Sequence, residues 1–426
     1  MFTEEKQNFL TFQDSDSLVP ETEKEVADII KKFYKSNASL EVVGSGSKRT
    51  IGKPLQCEKT MILSKLDGII EYIPAELYIK VKAGTKMDKI INELKKNKQH
   101  LSFEPIDFGY LFLGKSNCGT AGGQVACNLS GPRRFKSGAI RDNILGFRGV
   151  NGRGEIIKSG GTVVKNVTGY DLSKLICGSY GTLAAITEVT FKVLPSAKET
   201  RTLVIHNLKI DSAPDYLAKA ISSSCDVSGA SFLPTDPICN NCEMNIENTF
   251  KLNDLKKEGS ITAIRVEGTK KSVEERIENL KIILNVYRND NLSILATLQS
   301  EIFWKKIKDL EFFSETKNNI FRIVIPPAEC GNLIYELPEK FKYFLDWGGA
   351  LIWMEACELS EQKFESIRKR VVKHGGFISM IKNSNHLPYV EDVFTINNSR
   401  FNISQSIKKS FDPKRILNPE KMYTGI

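Results

Sequence analysis

At 426 residues, 41% hydrophobic and 26% charged, the chain has room for two or three domains and the composition of a soluble globular protein. No apolar run approaches the roughly 18 residues of a transmembrane helix, and the early acids of MFTEEKQNFLTFQDSDS exclude a secretory signal, so the expected location is cytoplasmic. The net charge of +9 is spread along the chain; it reads as a solvated basic surface or as attraction to an acidic partner, an anionic substrate or a membrane surface, and no zinc-finger or RNA-binding motif points to nucleic acid.

Thr22-Glu23-Lys24-Glu25 fits a capping box opening a helix to about residue 34, with Val26, Ile29, Ile30 and Phe33 on one face. A short strand over 40–43 runs into Gly44-Ser45-Gly46-Ser47-Lys48. Strands are predicted over 61–63, 69–73 and 78–81, then a helix over 87–96 with Ile90, Ile91 and Leu94 inward. A glycine-rich segment closes in LAAITEVTFKV, one or two buried strands ending at Val193-Leu194-Pro195. From Ala197 glycine becomes rare, and strands (202–205, 261–267) alternate with amphipathic helices (213–222, 273–285). A second such half runs from a strand over 320–325 to a helix over 361–373. The expected architecture there is antiparallel sheet with helices on one face, an α+β domain. The ending SFDPKRILNPEKMY has two proline-bearing turns and no periodicity.

Nine cysteines, an odd number and scattered, argue for reduced thiols. Cys239 and Cys242 form the one CxxC; a site of four thiolates needs a second pair, so neither a metal nor an iron–sulfur cluster is expected in this chain.

Sixteen of the thirty glycines fall between Gly109 and Gly181. Such density costs folding entropy and is tolerated where backbone takes positive φ or comes very close to something, here a large, flat, phosphate-bearing cofactor. Two glycines in Gly44–Lys48 allow successive N–H groups to form an anion nest followed by a lysine, suited to a diphosphate; the loop alone also reads as a plain tight turn. A Rossmann turn is excluded because Arg49 stands where the third glycine belongs, and Thr50-Ile51-Gly52-Lys53-Pro54 breaks any following helix. Gly119-Thr120-Ala121-Gly122-Gly123, with Ala126, Asn128, Ser130 and Gly131, lets a planar ring lie against backbone whose N–H groups bond flavin atoms. Gly160-Gly161, Lys165-Asn166, Gly169-Tyr170-Asp171 and Gly178-Ser179-Tyr180-Gly181-Thr182 continue the theme.

These loops, with Asn128-Leu129-Ser130-Gly131, Arg141-Asp142, Leu145-Gly146 and Ile186-Thr187-Glu188, resemble the PCMH-type FAD-binding domain of vanillyl-alcohol oxidase and p-cresol methylhydroxylase. Gly131-Pro132-Arg133-Arg134, Lys165–Asp171 and the ending Phe411-Asp412-Pro413, Leu417-Asn418-Pro419 and Met422-Tyr423 make the chain similar to FAD-binding subunits of bacterial glycolate oxidases. The resemblance implies an α+β fold: a two-subdomain FAD-binding domain over 1–197, an antiparallel α+β cap over 198–400, and a segment over 401–426 returning to the FAD domain. It implies that Gly44, Ser45, Gly46, Ser47 and Lys48 meet the pyrophosphate. Gly119, Thr120, Ala121, Gly122 and Gly123, with Asn128, Ser130 and the adjoining Gly131, would line the isoalloxazine. Gly181 and Ile186 would lie near the adenosine end or the diphosphate, and Asn418 would approach the flavin.

The resemblance further implies an FAD redox subunit of a glycolate oxidase complex, oxidising glycolate to glyoxylate with the flavin as hydride acceptor. Its partners would be a sister flavoprotein with the fuller catalytic set and an iron–sulfur subunit that accepts electrons, with peripheral contact to the inner membrane left to the complex. A self-sufficient dehydrogenase of another 2-hydroxy acid and a flavin-bearing assembly subunit without turnover stay open. Covalent relatives carry a histidine near the first loop; the four here are His100, His206, His374 and His386, so the FAD is expected to be non-covalent. The histidine-rich metal site of related dehydrogenases is missing, and with it an obvious base for the hydroxyl proton. A substrate carboxylate would suit a guanidinium, and Arg133, Arg134 and Arg322 are the candidates, each also readable as an ordinary salt-bridging arginine. Tyr170 is a candidate near the flavin, Asp171 another or a brace of its own loop, Cys118 a small buried thiol, and Arg141-Asp142 a structural pair.

Overall fold

Thr22 opens the first helix as its pattern predicts. Its hydroxyl accepts from Glu25 N at 3.2 Å, satisfying one of the unpaired N–H groups of α1 (Glu23–Ser36), and the Glu25 carboxylate accepts from Glu21 N at 2.8 Å. Val26, Ile30 and Phe33, three or four residues apart, fall on one face and are buried, each contributing roughly 1.5–3 kcal/mol. The structure is a computed structural model that describes residues 17–162, 169–234, 259–286, 291–314, 316–337, 341–356, 359–384 and 393–426. Lys165, Asn166, Cys239, Cys242 and His386 lie outside the described residues. The chain divides into two units: the first contains the described residues up to Gly131 with Gly138–Ser196 and Ile396–Ile426, the second Pro132–Ser137 with Ala197–Thr395.

Among the described residues the first unit holds two main sheets, beside a short antiparallel pairing of Gln99–His100 with Leu194–Pro195. In the smaller, β1 (Leu40–Val43) pairs in parallel with β2 (Lys59–Ile62), Leu18 bridges Met61, and Leu417 bridges Leu40. The larger is antiparallel, in the order β3-β4-β7-β5-β6, from β3 (Ile69–Ile73), β4 (Tyr78–Lys82), β5 (Ile144–Asn151), β6 (Ile156–Gly160) and β7 (Ala184–Lys192). LAAITEVTFKV thus forms a single strand, β7, buried along most of its length because it is the middle strand. The helices α2 (Met87–Lys96) and α3 (Ala121–Cys127) pack on this sheet through Ile90, Leu94 and Val125, which join Ile79, Val189 and Phe191 in one core. A second core gathers Val26, Ile30, Leu40, Met61, Val150 and Leu417.

The C-terminal segment is pinned by a fully buried ion pair. Lys408, on the helix Asn398–Phe411, is 1% exposed and donates to Asp412 Oδ2 at 2.9 Å, Thr182 O at 2.7 Å and Leu417 O at 2.9 Å. Asp412 also accepts from Ile416 N and Leu417 N. Burial pushes the Lys408 ammonium below its ordinary value against the pull of Asp412.

Among the described residues the strands of the second unit form one antiparallel sheet of eight. Its first half contains β8 (Glu199–His206), β9 (Gly229–Leu233), β10 (Ile261–Gly268) and β11 (Leu292–Leu295); the second contains β12 (Asn319–Val324), β13 (Phe341–Asp346), β14 (Leu351–Ala356) and β15 (Phe377–Lys382). The order is β11-β8-β10-β9-β13-β14-β12-β15, and the halves meet where Phe232 pairs with Leu345. Every residue of β9 and β14 is buried, so the middle of the sheet is covered on both faces and shows no polar alternation.

Candidate functional site: a groove in the first unit

An open groove enclosing ≈ 790 Å³, counted out to solvent, runs along the first unit. One wall is the end of β1 and the loop 44–49. The other is the start of α3, with Ala184 and Ile186 of β7, Tyr180 and Gly181; Asn418 and Lys421 come from the C-terminal segment.

The first loop presents open backbone. Gly46 has φ 73°, the left-handed region that favours glycine, and Arg49 N donates back to Gly46 O at 3.0 Å. The N–H groups of Ser45, Gly46 and Ser47 donate to nothing among the described residues. Three such groups in a row, followed by the buried Lys48, are what an anion nest requires. The Ser45 hydroxyl donates to Cys118 O, and a Cβ on Gly44 would collide with the Thr120 hydroxyl, so the two loops touch.

The second loop is built differently. Thr120 caps α3, accepting from Gly123 N at 3.4 Å; Ala121 N donates to Thr85 O at 2.9 Å and Gly122 N to Ala83 O at 2.8 Å. The expectation that these amides bond a flavin ring is corrected: those of Ala121, Gly122 and Gly123 are engaged within the protein. Gly122 is required because a Cβ there would lie 2.8 Å from Ala83 Cβ. Thr120, Gly122 and Gly123 line the groove, offering smooth surface, whereas Gly119 and Ala121 are outside its lining. Asn128, Ser130 and Gly131 also lie outside it, because α3 carries the chain about 10 Å onward. There Asn128 ends the helix at φ 50° and accepts from Arg141 N, Ser130 accepts from Ile140 N, and Gly131 N donates to Phe103 O and Glu104 O.

Asn418 lines the groove, but its amide is a staple. Oδ1 accepts from Val42 N at 2.6 Å, and Nδ2 donates to Tyr180 O at 2.8 Å and Val42 O at 3.3 Å. Gly181 (φ 74°) leaves room for it; a Cβ would lie 2.6 Å from Nδ2.

The candidate catalytic residues separate. Tyr170 is 92% exposed in the first unit, and Asp171 caps the short helix Leu172–Ile176 and pairs with Lys174 at 3.1 Å, so it braces its own loop. Arg133 belongs to the second unit and is spent on Glu267, with Nε at 2.9 Å and Nη2 at 2.5 Å from the two carboxylate oxygens. Against the desolvation that would raise it, Arg265 and Arg133 hold the Glu267 carboxyl well below the usual range. Arg133 therefore anchors residues 132–137 within the second unit, and its reading as a carboxylate clamp is withdrawn. Arg134 and Arg322, far apart in sequence, come together: their guanidinium carbons lie 4.7 Å and 5.1 Å from the centre of the Trp347 ring. Arg141 and Asp142 form no ion pair; Asp142 accepts from Ala139 N instead. Cys118 is buried, and desolvation pushes its thiol up.

Sequence reasoning missed four charged or thiol groups of the lining: Glu41, Arg49, Cys127 and Lys421. Arg49 grips Glu41 at 2.9 Å and 2.5 Å, a pairing that no spacing rule announces because the partners sit on a strand and a loop. Lys421 stands inside LNPEKMY, where the resemblance assigns a site role to the asparagine alone.

Residues 17–160 match the profile of the FAD binding domain family. This segment is an FAD binding domain. The chain is 28% identical to the glycolate oxidase subunit GlcE of Escherichia coli, covering 93% of this chain and 96% of that one. It is 26% identical to the glycolate oxidase subunit GlcD of Bacillus subtilis, over 71% of this chain and 68% of that one. Among solved structures, an alkyldihydroxyacetonephosphate synthase superposes with a TM-score of 0.67 at 18% identity, covering 94% of this chain and 75% of that one, which shows a shared fold. The chain is an FAD-dependent oxidoreductase. The groove fits that cofactor: open amides and lysines for its phosphates, and a smooth wall at Gly122, Gly123 and Ala126 for a flat ring. FAD, when bound, supplies the hydride acceptor; the chain supplies binding and orientation.

Proposed function

We propose that this chain is an FAD-bearing subunit of a glycolate oxidase type of complex, taking part in oxidation of a small 2-hydroxy acid. The observation that carries the reading is a groove with open amides in a chain alike, end to end, to a glycolate oxidase subunit. Arg134 and Arg322, gathered on Trp347, are the groups we assign to the substrate carboxylate, since a guanidinium bonds a carboxylate through two parallel N–H groups. No histidine is among the described residues lining the groove, and the base for the hydroxyl proton is assigned to a sister flavoprotein subunit. An iron–sulfur subunit is the proposed electron acceptor. Any attachment to a membrane surface is assigned to these partners; among the described residues no helix is long and apolar enough to cross a membrane.

The test is to assay glycolate-dependent dye reduction with the chain alone and co-purified with both partners, counting flavin and iron per chain. Activity is expected only in the complex. Full turnover by the lone chain would overturn the dependence, and bleaching of its flavin by a different hydroxy acid would replace the substrate. Acid precipitation is expected to release all the flavin, leaving a colourless pellet.

A further inference from the structure

We propose that Lys421 is a binding residue for the diphosphate of FAD, forming one anion cradle with the open amides of Ser45, Gly46 and Ser47 and with Lys48. The inference rests on the FAD reading of the groove.

Lys421 lines the same groove as the first loop and is bolted to it. Its ammonium donates to Arg49 O at 2.7 Å and Lys53 O at 3.2 Å, and its carbonyl accepts from Lys53 N at 3.0 Å. An ammonium has three N–H donors. Two have acceptors, and the third has none among the described residues.

The charge is offset only by the Coulombic pull of Glu41, against a larger desolvation. Lys421 is only 6% exposed and makes no ion pair among the described residues. The carboxylate of Glu41, on β1, is already held by Arg49 and by the Thr60 hydroxyl at 3.0 Å. Two thiols are near, Cys127 on α3 and Cys57 ahead of β2. Burial pushes the Cys57 thiol up to about 11 and raises that of Cys127, so neither supplies a negative charge near neutral pH. The other charged neighbour on the groove is Lys48, a cation. A buried cation facing a groove whose one carboxylate, Glu41, is already paired with Arg49 is costly unless a ligand brings a further anion. The adjoining row of N–H groups selects a phosphate ester over a single-point anion.

The same burial lowers the Lys421 ammonium to about 8. A bound diphosphate raises that value again, so binding takes up a proton where the free protein has lost it. FAD affinity of the wild-type apoprotein is therefore expected to change little from pH 6.5 to 7.5 and to fall about tenfold from that plateau by pH 9. Riboflavin, which has no phosphate, is expected to show no such fall.

The experiment titrates apoprotein with FAD, ADP and riboflavin, using flavin fluorescence and calorimetry. At pH 7.5, Lys421→Met is expected to weaken FAD and ADP about 10- to 100-fold and to leave riboflavin unchanged, with Lys421→Arg recovering most of the loss. Equal FAD affinity in Lys421→Met, or an equal loss for riboflavin and ADP, overturns the proposal. Should Lys421→Met fail to fold, the wild-type pH profile decides: a flat FAD affinity up to pH 9 overturns it. Wild-type protein that takes up no FAD at any pH would instead sink the reading of the groove.

Discussion

The loops 44–48 and 119–123 are both glycine-rich, and they are glycine-rich for opposite reasons. In the first, glycine opens the backbone: Gly46 takes φ 73° and three consecutive N–H groups have no partner among the described residues. In the second, glycine closes the backbone onto its neighbours: Gly122 lies against Ala83, and the amides of Ala121 and Gly122 are bonded to the turn before α2. One loop offers donors and the other offers shape. A row of glycines in a sequence therefore signals proximity, and only the hydrogen-bond ledger tells whether a ligand or the protein itself comes close.

That contrast depends on the C-terminal segment, which backs the first loop, and the largest effect is expected there. Lys408→Met leaves the Asp412 carboxylate buried without its cation and should cost about 3–5 kcal/mol, read as a shift in the denaturation midpoint. A loss under 1 kcal/mol would mean that Asp412 is satisfied by its backbone donors alone. Next comes Gly122→Leu. Overpacking against Ala83 should destabilise the protein by about 1–3 kcal/mol whether or not FAD is present. Gly46→Val should behave in the opposite way. Its left-handed φ costs about 1–2 kcal/mol, yet FAD affinity should fall at least about tenfold because the open amides are displaced. If Gly46→Val kept full FAD affinity, the open amides of the first loop would not be the donors that hold the cofactor.

Much of this organisation was legible beforehand. The bounds of α2 and of the helices Ala213–Ser222 and Glu361–Lys373 follow from apolar residues three and four apart, and the first loop stood out by its glycines and lysine. The helix Asn398–Phe411 did not, because its buried residue is Lys408 and no apolar stripe marks a face. Strands β9 and β14 lack period-two alternation because both faces are buried. Within the site, Asn418 and Arg133 were found as residues but not as roles. Each is recognisable as polar and well placed, and only the partners, Val42 and Tyr180 for one and Glu267 for the other, reveal that they hold protein rather than ligand.

The smallest effect supplies a control for pH. In the second unit His374 ends the helix Glu361–Lys373, with Nδ1 2.7 Å from Glu329 Oε2 and Nε2 3.1 Å from Glu336 Oε2. Hydrogen bonding to Glu329, then to Glu336, raises the imidazole above its ordinary value. A raised value means that the stabilisation is complete below the unfolded histidine value and is lost as pH rises through the folded one. The glutamates run the other way. His374 lowers Glu329, and Lys373 with His374 lowers Glu336, so their contribution holds above the unfolded carboxyl value and is lost as pH falls through the folded ones. The cluster should thus stabilise the second unit in a window between the two, and His374→Gln should flatten the fall in Tm above neutral pH by about 1–2 °C. FAD affinity should not change in this variant, whereas the affinity change assigned to Lys421 should persist. A His374→Gln protein whose FAD binding lost its pH dependence would show that the titration belongs to the second unit and not to the groove.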